Sequence, residues 1–106
     1  MVVAAVCMAV NVVMLVVMFF GEHLDPEELE SFVAVHRRRH EQRLQEYEQI
    51  AEGLAGGLGP TAVPALSDRS RHFALATVRL GLEYERAVLR WFRARPWEEP
   101  PALTGP

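Results

Sequence analysis

The chain has one cysteine, no lysine and, over its first twenty residues, no charged side chain. A lone Cys7 cannot close a disulfide within the chain and lies in an apolar run, so a disulfide-stapled secreted scaffold is excluded and a reducing, cytoplasmic setting is expected. Eleven basic residues against fourteen acidic ones leave a formal net charge of −3. Nucleic-acid affinity is largely phosphate neutralisation, and this balance provides no basic footprint, so direct contact with DNA is not expected. Phosphate-binding loops, paired-cysteine motifs and catalytic-triad spacings are missing, which points away from an enzyme and from any cofactor. With 106 residues there is room for one domain at most, and self-association is the natural way to enlarge its core.

What is present is centred on Arg71 to Arg93, a stretch that is apolar on two helical faces. Phe73, Thr77, Leu80, Tyr84, Ala87 and Trp91 recur in alternating steps of four and three, the a/d pattern of a helix-helix seam. Leu75, Val78, Leu82, Leu89 and Phe92 form a second arc on the other side of the axis. Arg79, Glu83, Arg86 and Arg90 fill the remaining strip, with Glu83 spaced to meet Arg79 and Arg86. One face suits a partner within the chain and the other a second subunit. Phe73, Leu80, Tyr84, Ala87, Trp91, Leu82, Leu89 and Phe92 are therefore the expected dimer-interface residues. Gly81 lies between the arcs, where a missing side chain permits a close helix crossing.

Residues 1–18 form an apolar N-terminal segment, and the uncharged run continues through Phe20. Twenty helical residues reach about 30 Å, the thickness of a bilayer core, so a transmembrane helix is one expectation for residues 1–20. Arg37, Arg38 and Arg39 would then place the C-terminus in the cytoplasm, in a single-pass protein of the inner or plasma membrane. A segment buried in a protein core is the competing expectation, and eight valines suit helix or strand.

Leu24-Asp25-Pro26-Glu27-Glu28-Leu29 is a dense helix-start signal: Asp25 caps, Pro26 suits the first turn and Glu28 falls where a capping box needs it. From there Leu29, Phe32, Val33, His36, His40, Leu44, Tyr47, Ile50, Ala51 and Leu54 make one apolar stripe. Gly53 to Pro64 reads as a helix end and a mobile connector, Ser67 or Asp68 caps the next helix, and Pro96 ends it. The tail, residues 96–106, is expected to be disordered. The fold expected is all-α: two long antiparallel helices, a hairpin, preceded by an apolar N-terminal helix and dimerising as a helical bundle.

Few groups suggest chemistry. His36 and His40 are spaced to share a zinc ion, but three arginines stand between them, and two half-exposed histidines at a helix interface fit better. No metal is expected. Glu85 falls inside the second apolar arc, where a carboxylate needs a partner, and an arginine of the other helix or another subunit is the expected one. Tyr84, Trp91 and Phe92 are the candidates for lining a slot for a flat aromatic ligand.

Phe19-Phe20, Leu24 to Leu29, His36-Arg37, Tyr47-Glu48, Leu80-Gly81-Leu82-Glu83-Tyr84-Glu85 and Trp91 resemble the C-terminal domain of PadR-family transcriptional regulators, of the virulence-activator-like type. The resemblance runs from about Met14 to Phe92 and makes residues 19–95 the domain. It implies a long-helix dimerisation module that in the family follows a DNA-binding winged helix-turn-helix, and some members sense small, often aromatic, ligands. Eighteen residues stand before Phe19 instead of a winged helix, which leaves two expectations, a truncated reading frame with a displaced start or a fusion of the module to a membrane anchor. The implied partner is a second copy, or a full-length PadR-like regulator in a heterodimer.

Overall fold

The computed structural model describes residues 2–56 and 66–98, with side chains from Asn11 onward. Within these residues all regular structure is helical. Helix α1 runs over Val2–Phe19, a short 3-10 turn over Gly21–His23, α2 over Pro26–Leu54 and α3 over Asp68–Ala94. Two units are distinguishable, Met1–His36 and Arg37–Pro106, and α2 runs through both.

In the first unit α1 ends where Gly21 interrupts the valine-rich run. The turn closes through His23 N to Phe20 O at 3.0 Å and Leu24 N to Gly21 O at 3.1 Å. Helix α2 then opens at Pro26, whose fixed φ suits a first turn and whose missing N–H is not needed there. Glu27 and Glu28 occupy that turn, where the helix dipole favours negative charge. Met14 and Val33 are buried, whereas Val12, Val13, Leu15, Val16, Phe19 and Phe20 are each more than half exposed. Among the described residues no helix is long and apolar enough to cross a membrane.

In the second unit α2 and α3 pack against each other as an antiparallel pair. The pairing is fixed at three levels: followed from Leu54 back to His40, α2 meets partners on α3 that advance from Arg71 through Gly81 to Glu85. At the loop end Arg71 Nη1 donates to the Leu54 carbonyl at 3.0 Å, satisfying an acceptor that α2 leaves unpaired at its terminus. Gly56 follows with φ +93°, a conformation that L side chains rarely adopt. Helix α3 is capped by Ser67, whose hydroxyl oxygen accepts from Ser70 N at 3.2 Å. The connector expected over Gly53–Pro64 begins later than its glycines suggest, since Gly53 is still helical. Residues 57–65 of that connector lie outside the described residues.

Gly81 has a specific task. A Cβ built there would lie 2.9 Å from Tyr47 Cε2, so the missing side chain makes room for the ring that α2 inserts against α3. The close approach expected at Gly81 is thus between the two helices of one hairpin.

The C-terminal end also departs from expectation. Arg95 closes α3 in the left-handed region at φ 50°, and residues 96–98 form a turn in which Glu98 N donates to Arg95 O at 3.0 Å. Trp97 thereby folds back onto α3, its ring 4.9 Å from Trp91 and 6.4 Å from Phe92. The expected disordered tail therefore starts too early at residue 96, because an aromatic side chain there can bury itself. Residues 99–106 lie outside the described residues.

Candidate functional site: a buried ionic cluster and an uncovered seam

The two apolar arcs of α3 have different surroundings. On the arc facing α2, Leu82 is 8% and Phe92 2% exposed. On the seam, Phe73 is 64%, Leu80 71% and Tyr84 43% exposed, with Thr77 and Ala87 also at the surface. This corrects the expected interface set. Leu82 and Phe92 are buried within their own chain and offer nothing to a second subunit, and Leu89 is half-buried on the same arc. Phe73, Leu80, Tyr84, Ala87 and the half-buried Trp91 remain accessible.

Beneath the inner arc lies an ionic cluster. Glu85 is 1% exposed and holds His40, 2% exposed, through a 2.5 Å contact between Oε2 and the ring Nδ1. On its other oxygen Glu85 accepts from Arg43 Nη1 at 3.5 Å. His40 lies on the stripe that α2 turns inward and Arg43 at its edge, so both reach a carboxylate placed at the matching level of α3. Phe92 shields the pair, its ring 6.0 Å from that of His40. The arginine partner was legible from Glu85's place in an apolar arc. His40 was missed as the second partner, although its own place on the α2 stripe was the available signal.

The arrangement is structural chemistry. A carboxylate and imidazole this deeply enclosed have no surface from which to exchange protons with a substrate, and burial makes their mutual satisfaction obligatory. His36 is likewise buried at 7%, its ring 4.2 Å from Phe32. The expectation of half-exposed histidines is corrected, since both belong to the apolar stripe. Metal binding finds no support from them: His40 already engages a carboxylate, and no group of three or more candidate ligands occurs among the described residues.

The expected aromatic slot is not assembled. Trp91 and Phe92 are in edge contact at 5.2 Å, Trp97 packs on both, and Phe92 has no free surface for a ligand. Tyr84 stands exposed on the seam. Elsewhere Arg37, Glu41, Leu44, Leu89 and Arg93 line an open groove of about 390 Å³ between α2 and α3. Arg37 pairs loosely with Glu41 at 3.6 Å. Glu83 makes no ion pair with Arg79 or Arg86 among the described residues, so the strip expected to pair with itself is a row of free charges.

The family model for the virulence activator alpha C-terminal domain matches residues 13–94. The chain belongs to that family. The match takes in the last turns of α1, all of α2 and all of α3, so both the ionic cluster and the seam lie inside the domain. Membership in a family of regulatory domains suggests a regulatory role and points away from catalysis. No curated protein and no solved structure matches the chain.

Proposed function

We propose that this virulence-activator C-terminal domain is the dimerisation and effector module of a PadR-like transcriptional regulator, acting in the cytoplasm. Its partner is a second copy or a full-length regulator of the same kind, which would supply the operator contacts. The observation that carries the reading is the uncovered seam on α3. Phe73, Leu80 and Tyr84, at 64%, 71% and 43% exposure, lie on one stripe of a helix whose opposite arc is already buried. Isolated exposed apolar side chains are ordinary, but a stripe at a/d spacing is the pattern by which helices recognise helices. Each such side chain gains about 1.5–3 kcal/mol when fully covered, so several together can offset the entropy of association.

The test is multi-angle light scattering on the whole chain, with Leu80→Glu as the variant. A dimer is expected for the parent. The variant should be monomeric with unchanged helicity by circular dichroism, because Leu80 is exposed and its replacement leaves the hairpin interior intact. A parent that stays monomeric and helical at tens of micromolar, roughly the range in which a micromolar Kd would reveal itself, overturns the proposal.

A further inference from the structure

The α3 seam has one charged flank, and that flank carries both signs. Glu83 precedes Tyr84 and Arg90 precedes Trp91, each by one position, so both lie on the same side of the seam. At about 100° per residue Glu83 stands about 80° from the midline between Leu80 and Tyr84, and Arg90 about 80° from that between Ala87 and Trp91. These are the flanking positions from which side chains reach across a helix-helix seam. Both residues are exposed, and neither forms an ion pair among the described residues. Arg79 and Arg86 lie farther round the axis and do not border the seam. The opposite flank, Ala74, Gly81 and Val88, has no charge, and Gly81 there receives Tyr47 of its own chain.

This pattern complements itself in one orientation. When two α3 helices lie antiparallel about a two-fold axis, each flank meets the same flank of the other copy. With the axis midway between the levels of Tyr84 and Ala87, Glu83 of each copy is within about 3 Å in height of Arg90 of the other, and the ion pair forms twice. The same register sets Tyr84 against Ala87, Leu80 against Trp91 and Thr77 against Ala94, none of which is buried in its own chain, over about 27 Å of helix. Tyr84 then fills the space that Ala87 leaves. Phe73 falls outside the overlap, where the Arg69 guanidinium lies 5.3 Å from its ring. Two other arrangements lose the charge pairing. An axis midway between Leu80 and Tyr84 aligns Phe73 with Trp91 but brings Glu83 against Glu83, and a parallel pair sets the charged flank against Ala74, Gly81 and Val88.

We propose that the seam is covered by the same seam of a second copy of this chain, antiparallel, in the register fixed by reciprocal Glu83–Arg90 pairs. The proposal rests on the reading of the seam as a dimerisation surface and specifies its partner, direction and register. Self-complementary charge selects a second copy over an unrelated helix, because a partner must present an arginine and a glutamate at matching levels of one flank.

Trans-complementation of the whole chain, followed by sedimentation equilibrium, tests this with two variants, Glu83→Arg and Arg90→Glu. Each alone should dimerise about tenfold more weakly than the parent in low salt, since each places like charges across both contacts. Mixed in equal amounts they should form a heterodimer near parental affinity, because both of its contacts again join opposite signs. The chain carrying both substitutions should recover the homodimer for the same reason. Circular dichroism of each variant monitors folding, and both positions are exposed, so the hairpin interior is unchanged. If Glu83→Arg is weakened, is rescued by the parent chain and Arg90→Glu is as tight as the parent, Glu83 meets its own copy and the proposed register is overturned. If both variants dimerise as tightly as the parent, the antiparallel charge contact is overturned while seam dimerisation stands. Weakened variants that mixing does not rescue overturn it too, since the charges would then act within one chain. A monomeric parent removes both this inference and the function on which it rests.

Discussion

Replacing Glu85 by Leu removes the carboxylate that joins α2 to α3 and leaves two cationic or polar groups without their partner. Arg43, with its side chain 17% exposed, can swing toward water. His40, at 2%, cannot. Breaking a buried pair from one side costs about 3–5 kcal/mol, and the freedom of Arg43 puts this case near the lower end, about 3 kcal/mol. Glu85→Gln keeps an acceptor for the imidazole N–H and loses only the charge assistance, so it should cost about 1–2 kcal/mol. Changing both partners, His40→Leu with Glu85→Leu, removes the unsatisfied group and should return stability to within about 1 kcal/mol of the parent. Denaturant unfolding followed by circular dichroism measures all four proteins. They must be compared at one protein concentration, because association couples to unfolding. A Glu85→Leu protein within about 1 kcal/mol of the parent at unchanged m-value would refute the argument, since the cluster would then not be sealed in solution.

Three further outcomes follow from other contacts. Gly81→Ala gains about 1 kcal/mol of helix propensity but forces the Tyr47 ring to move, at a cost of about 1–3 kcal/mol, so it should destabilise. In a Tyr47→Leu background thermal melts should show the same change stabilising by about 1 kcal/mol, and the same sign in both backgrounds contradicts the packing reason. Arg71→Ala should cost about 1–2 kcal/mol in denaturant unfolding, through the lost bond to the Leu54 carbonyl at the negative end of α2, and an unchanged midpoint counts against that clasp. Trp97→Ala should shift the fluorescence of Trp91 to the red by exposing it, with about 1 kcal/mol of stability lost, whereas an unmoved spectrum means that the C-terminal turn does not pack.

Element identity was legible in the chain because it is written locally. Pro26 after Asp25, Ser67 before Asp68, the 3.6-residue recurrence of apolar groups and the breaks at Gly21 and Pro96 each act within a few residues of themselves. Although α2 runs past Gly53, where its glycines suggest an end, the all-α class and the starts of α2 and α3 followed from these signals. So did the anomaly of Glu85, since a carboxylate in an apolar arc requires a partner wherever the arc is buried. Periodicity could not rank the two faces of α3, because both are equally apolar and differ only in what lies opposite. That depends on antiparallel register: Arg71 at Leu54, Gly81 at Tyr47 and Glu85 at His40 turn one arc inward and leave Phe73, Leu80 and Tyr84 in water. The pairing of His40 with Glu85 spans forty-five positions, and the return of Trp97 onto Trp91 needs a backbone reversal at Arg95. Both are contacts between groups that no local pattern connects, so only packing in three dimensions decided them.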